Sequence, residues 1–150
     1  VFVGRDDEDG RRAAELAVAV GIRKLGGYLA GGMTAWRDER RGVASIERVQ
    51  ASDLHERAED DQTLQILDVR EQDEWDAGHI PDSIHVPYHD LHEMPDDLDP
   101  ERPVAVMCAS GQRAAVAASM VARLGGKRVV HVVDGGVGTW ERAGHPIERG

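Results

Sequence analysis

Short runs rich in valine and isoleucine, such as Val104-Ala105-Val106-Met107 and Val129-Val130-His131-Val132-Val133, alternate with stretches whose apolar residues recur at helical spacing. A strand that is apolar on both sides must be covered on both faces, so this alternation constrains the chain to an α/β fold built around a parallel sheet. The pattern predicts strands over 1–3, 27–29, 46–49, 64–69, 84–86, 104–107 and 129–133. Helices are predicted over 10–20, 33–39, 52–59, 71–77, 111–124 and 137–142, with Ser52 as an N-cap and Gly125-Gly126 as a stop. The 111–124 segment has little polar surface and is expected to pack deeply on the sheet.

The chain has 150 residues and a net charge of -10, its acids spread along the sequence. This argues against nucleic acid or an anionic membrane as the main partner, since both reward clustered Lys and Arg. One cysteine excludes an intrachain disulfide, and no apolar run approaches the roughly 20 residues that span a bilayer. A cytoplasmic location is expected.

Residues 1–43 align without a gap on 105–147, at an offset of 104. Ala13-Ala14 fall on Ala117-Ala118, Gly21 on Gly125, Gly31-Gly32 on Gly135-Gly136, and Trp36 on Trp140. The expected organisation is therefore the second half of a degenerate copy over 1–43, then a complete domain over 44–150. With Val1 in place of an initiator Met, the chain is expected to be a piece of a longer polypeptide and to contact its remaining parts. Gly4 stands where the second copy has Cys108, so the first copy is expected to be inactive.

Cys108 follows the strand over 104–107 and opens Cys108-Ala109-Ser110-Gly111-Gln112-Arg113, which leads into the longest helix. A strand, a tight loop and a helix N-terminus turn backbone N–H groups inward, which suits an anion and, with Arg113 near, favours a reactive thiolate. The competing role for Cys108 alone is a small apolar filler at a strand end.

Three separated motifs carry a family resemblance. Leu67-Asp68-Val69-Arg70-Glu71, with Glu74-Trp75 and Gly78-His79-Ile80-Pro81, resembles the opening half of rhodanese domains. The loop from Cys108 to Arg113 resembles their active-site loop, and Asp134-Gly135-Gly136 with Trp140 resembles their closing helix. The resemblance implies a three-layer α/β/α fold with a five-stranded parallel sheet, and sulfane sulfur transfer through a cysteine persulfide. It implies Cys108 as nucleophile, Ala109, Ser110, Gly111, Gln112 and Arg113 as donors to the sulfur and its anionic carrier, and no cofactor. The partners implied are a small-molecule donor, thiosulfate or a thiol persulfide, and a thiol or cyanide acceptor. Two positions depart from the family pattern: Asp82 stands where glycine is common, and Ala114 where serine often follows the loop arginine.

Asp68 and Arg70 follow a strand and are candidates to face the loop and touch substrate, because parallel sheets gather ligands at their carboxyl ends. Their structural alternative is Arg70 pairing with Glu71 or Glu74, and Asp68 accepting backbone hydrogen bonds. No metal site is expected: His85, His89 and His92 straddle different elements, and Asp96, Asp97 and Asp99 lack a calcium-loop pattern. Trp36 and Trp140 read as anchors of closing helices.

Two rival functions remain. Phosphatases of the cell-division-cycle type, which resemble rhodaneses, and arsenate reductases also use a loop cysteine with an arginine; those phosphatases place five residues between the two, where this chain has four, Ala109 to Gln112. A non-catalytic docking module is the other. The pairing with the stretch Tyr28-Leu29-Ala30-Gly31-Gly32-Met33 also resembles tandem rhodaneses fused behind a metallo-β-lactamase-like domain, some of which oxidise glutathione persulfide.

Overall fold

The computed structural model describes residues 1–150, which form two compact units, Val1–Ser45 and Ile46–Gly150. In the first, helix α1 (Asp7–Ala19) is N-capped by Asp6, whose carboxylate accepts the Asp9 N–H at 3.0 Å, and Asp7, Glu8 and Asp9 complement the helix dipole. Helix α2 (Gly32–Asp38) follows from a left-handed Gly31. The strands expected at 1–3 and 27–29 are absent; a single parallel bridge joins Phe2 to Tyr28. Only two hydrogen bonds hold it, Phe2 N–H to the Gly27 carbonyl and Leu29 N–H to the Phe2 carbonyl. A lone strand pair is marginal, and the adjacent Gly26-Gly27 offers no side chain to pack.

The second unit contains β1 (Glu47–Val49), α3 (Leu54–Asp60), β2 (Gln65–Asp68), α4 (Gln72–Ala77), β3 (Ile84–His85), β4 (Pro103–Met107), α5 (Gln112–Arg123), β5 (Arg128–Val132) and α6 (Gly136–Arg142). All five strands are parallel, in the order β1-β5-β4-β2-β3. Side chains alternate across the pleat, so β4 feeds two cores. Val104, Val106 and Cys108 pack with Leu67, Val69 and the Ala114, Ala117, Ala118 and Val121 stripe of α5. Ala105 and Met107 pack on the opposite face with Leu54 of α3 and Val137 and Trp140 of α6. This is the expected α/β architecture, with helices on both faces and β4 central.

Element ends follow local chemistry. Helix α3 starts after Asp53, not at the expected cap Ser52, because the Ser52 hydroxyl is engaged with the Asp53 carboxylate at 2.8 Å. Helix α5 closes where expected, with Gly125 N–H donating to Ala122 and Gly126 N–H to Val121.

Asp82 holds a left-handed backbone, φ 60°, which accounts for glycine being usual in the family at this position. Asp82→Gly is expected to stabilise the protein by about 0.5–1 kcal/mol, read as a higher midpoint in urea with an unchanged slope.

Candidate active site

The apolar β4 delivers Cys108 to the carboxyl end of the sheet with no exposed surface. Its Sγ accepts two backbone N–H groups, from Gly111 at 3.2 Å and from Ala114 at 3.4 Å. The turn that makes this possible depends on Gly111, whose φ of 82° is left-handed and whose Cα faces the Val133 carbonyl too closely for a Cβ. The loop thus presents a sulfur-centred nest at the N-terminus of α5. Of the five residues expected to surround the sulfur, Gly111 supplies a donor directly, while Ala109 and Ser110 lie exposed on the loop and Gln112 is exposed at the start of α5. Ala114, where serine is usual, contributes its backbone while its methyl fills the core beside α5.

Arg113 stands beside the thiol and is gripped by Glu74, Nη1 to Oε2 at 2.5 Å and Nη2 to Oε1 at 2.9 Å. Glu71 lies a further 3.9 Å from Nη1. The Glu74 hydrogen bond is the main cause that raises the guanidinium pKa above its already high ordinary value, against the opposing effect of burial. Reciprocally, the Arg113 hydrogen bond holds the Glu74 carboxyl below its ordinary range, again against burial. Because the two side chains are about one quarter and one third exposed, the bridge is better screened from water than a surface pair.

Asp68 and Arg70 are brought to each other. Arg70 Nε donates to both Asp68 carboxylate oxygens, and Nη2 to Oδ2 at 2.6 Å; the Arg70 backbone N–H also donates to Oδ1. The remaining guanidinium bonds reach the Glu74 carbonyl at 3.0 Å and the Gly78 carbonyl at 2.8 Å. Asp68 is fully buried and Arg70 nearly so. Their polar groups are therefore spent on each other and on α4, and their geometry is that of a brace.

Two further contacts shape the loop. His131 on β5 sets Nε2 at 2.8 Å from the Gly111 carbonyl, an acceptor, so Nε2 carries the proton. Gly136, at φ 39°, presses against the Cys108 carbonyl where any Cβ would collide. Behind it, the Asp134 carboxylate accepts the Ala51 N–H at 2.7 Å and ties the ends of β5 and β1 together. Sequence reasoning assigned Asp134-Gly135-Gly136 to the closing helix and did not single out Glu74 or His131 as part of the site. Glu74, within the family motif, was the one carrying a signal.

His85 Nε2–H donates to the Arg70 carbonyl and the ring stacks on Trp75, and His89 approaches Glu71 and Asp90. They do not converge with His92, and no group of three or more His, Cys, Asp or Glu side chains is arranged to hold a metal ion. No helix is long and apolar enough to cross a membrane.

Residues 50–143 match the family model described as "Rhodanese-like domain". The chain is 32% identical over 93 residues to "Putative sulfur carrier protein YrkF" of Bacillus subtilis, covering 62% of this chain and 50% of that protein. It is 32% identical over 96 residues to "Putative sulfurtransferase YtwF" of the same organism, covering 64% of this chain and 91% of that protein. The match to YrkF thus spans only half of its length. The crystal structure of a rhodanese-related protein from Thermoplasma volcanium superposes with a TM-score of 0.57 at 33% identity, covering 69% of this chain and 98% of that one. With the family model matching well over half of the residues, and its signature loop built as described, this chain belongs to the rhodanese-like domain family.

Proposed function

We propose that this protein is a sulfurtransferase in which Cys108 carries sulfane sulfur between a small donor and a thiol acceptor. The observation that carries this reading is the pair of backbone N–H groups aimed at Cys108 Sγ, with the Arg113 guanidinium beside it. A sulfur that accepts such bonds is stabilised as an anion, both as thiolate and as persulfide. In the first half-reaction the Cys108 thiolate attacks the outer sulfur of a thiol persulfide or of thiosulfate. An S–S bond forms at Sγ, the donor S–S bond breaks, and the electron pair leaves on the donor thiolate or sulfite. In the second, an acceptor thiolate or cyanide attacks the outer sulfur of the Cys108 persulfide and returns the Cys108 thiolate. Ala109 to Arg113 form the wall of this site, and Asp68 and Arg70 act through α4 as its positioning residues.

A phosphatase is disfavoured by the loop itself, since four residues between Cys108 and Arg113 close around a single sulfur, and Arg113 is committed to Glu74. A docking module would not need Gly111 and Ala114 turned onto a thiol.

We also propose that residues 1–43 are the second half of a degenerate copy of the 44–150 domain. Backbone detail at the 104-residue offset supports it. Trp36 Nε1–H donates to the Gly42 carbonyl as Trp140 Nε1–H does to Pro146, and Arg41 N–H donates to Trp36 as His145 N–H does to Trp140. Left-handed conformations recur at Gly31 and Gly32, at Gly135 and Gly136, and at Arg40 and Gly144. At Gly4, the counterpart of Cys108, a Cβ would lie 2.5 Å from that of Asp9. On this reading the first copy has neither a nucleophile nor space for one.

Incubation with thiosulfate or with glutathione persulfide is expected to add one sulfur to the intact mass. The adduct should be discharged by cyanide or a thiol and be absent in Cys108→Ser; no adduct from either donor on a folded, reduced protein contradicts the proposal. Glu74→Gln is expected to slow loading by roughly tenfold or more, because Arg113 loses its anchor. The same substitution alters acid stability. Since the Glu74 carboxyl lies below its ordinary 4.5 in the folded state, its contribution is complete above that pH and is lost as pH falls through the lowered value. Urea titrations between about pH 5 and 3 should therefore show a shallower loss in Glu74→Gln than in the parent.

A further inference from the structure

We infer that the mouth of the site selects a persulfide donor bearing an ammonium group, of the cysteine persulfide kind, over the dianion thiosulfate, and that Glu71 is the residue that does so. The inference rests on the sulfurtransferase reading and deepens it.

The loop brings one permanent cation to the thiol, Arg113, and two carboxylates answer it. Glu74 takes both Nη groups in a bidentate bridge, while Glu71 stands 3.9 Å away without a close hydrogen bond to the guanidinium. The other loop side chains, Ala109, Ser110 and Gln112, are uncharged. The remaining buried arginine of the neighbourhood, Arg70, is neutralised by Asp68. Formal charge around the sulfur is therefore net negative before any donor arrives, and the chain as a whole carries -10.

Thiosulfate brings two negative charges, and the one cation it would meet, Arg113, already has its charge offset by Glu74. Glu71 is different in kind from Glu74: its carboxylate caps the start of α4 yet is 42% exposed, with half-exposed His89 Nδ1 at 3.6 Å and Arg113 Nη1 at 3.9 Å. It is a solvated carboxylate at the rim, with hydrogen-bonding capacity to spare for an ammonium. A donor carrying that group offsets one negative charge and gains a partner that thiosulfate lacks.

The transfer is balanced without further reagents. The Cys108 thiolate attacks the outer sulfur of R–S–SH, the donor's S–S bond breaks, and R–S⁻ leaves to be protonated by water; the outer sulfur keeps its own proton or loses it to solvent. The ammonium takes no part in bond making and only holds R in place.

The test is the rate of sulfur gain at Cys108, followed by intact mass under pseudo-first-order conditions. Three probes are compared: cysteine persulfide, 3-mercaptopropionate persulfide, which lacks the ammonium, and thiosulfate. Glu71→Gln is run beside the parent chain, so that intrinsic donor reactivity cancels in the ratio of ratios. The parent is expected to favour cysteine persulfide over mercaptopropionate persulfide by about tenfold more than Glu71→Gln does. In the parent alone, the preference should shrink toward the Glu71→Gln value at 1 M salt, where screening acts over about 3 Å. An unchanged ratio in Glu71→Gln, or a ratio indifferent to salt, overturns the selectivity while leaving sulfur transfer in place. Loading from thiosulfate at the rate of cysteine persulfide does the same. Failure of all three probes to load a folded protein overturns the sulfurtransferase reading, and this one with it.

Discussion

The buried ion pair of Asp68 and Arg70 holds together most of what surrounds the sulfur. Asp68 ends β2 beneath the surface, where a bare carboxylate would be severely penalised, and Arg70 satisfies it through Nε and Nη2. The same guanidinium grips a carbonyl inside α4 and the carbonyl at its C-terminal cap, Glu74 and Gly78. The helix is six residues long and buries none of its own side chains fully, so these bonds and the stacking of Trp75 on His79 and His85 fix its place. Loss of either charge would strand the other in the interior at a cost of about 3–5 kcal/mol, and α4 would lose its tether. From α4 the Glu74 side chain then reaches across to Arg113. The sheet thereby holds the Cys108 loop twice, through β4 directly and through β2, α4 and Glu74.

The second constraint is steric. Glycine at 111 lets the chain turn back over Cys108 against Val133, and glycine at 136 lets the start of α6 press on the Cys108 carbonyl. His131, projecting from β5 between these contacts in sequence, holds the Gly111 carbonyl. Three neighbouring strands, β2, β4 and β5, therefore converge on one loop at their carboxyl ends. This is where parallel sheets usually place chemistry, because helix N-termini and strand-end loops meet there.

How much of this was legible in the sequence depends on the range of each interaction. Strand positions in the second unit followed from short apolar runs, and they fall within a residue or two of 104–107 and 129–133 because burial on both faces leaves no alternative composition. At 1–3 and 27–29 the same composition failed to give strands, since pairing needs neighbours and not only propensity. Cys108, Gly111 and Arg113 were visible because one loop holds them all. Glu74 is 39 residues from Arg113 and His131 is 20 from Gly111, and neither partnership leaves a local trace. For Asp68 and Arg70 the sequence suggests contact with substrate or, as the alternative, separate structural partners, whereas the strongest partner of each is the other, two positions away. Alternation along an ideal strand sets such a pair on one face of the sheet, a relation the sequence already contained.

The two units, each taken by itself, separate what the scaffold needs from what the chemistry needs. Both keep consecutive left-handed glycines before a short helix and a tryptophan whose indole N–H is bound six residues on. These features close a helix against a loop and say nothing about sulfur. The loops themselves differ. In the second unit backbone N–H groups from Gly111 and Ala114 point at a thiol; in the first, Asp6 and Asp9 carboxylates accept the backbone N–H groups of Asp9 and Arg5. The donors engaged there, on Arg5 and Asp9, stand at the offsets of Ala109 and Arg113 and not of Gly111 and Ala114. On the reading of 1–43 as a degenerate copy, loss of the nucleophile and loss of the space for it belong to one change. Restoring cysteine at Gly4 alone would give a side chain lodged against Asp9 and the backbone at Gly10, with no room for a bound sulfur.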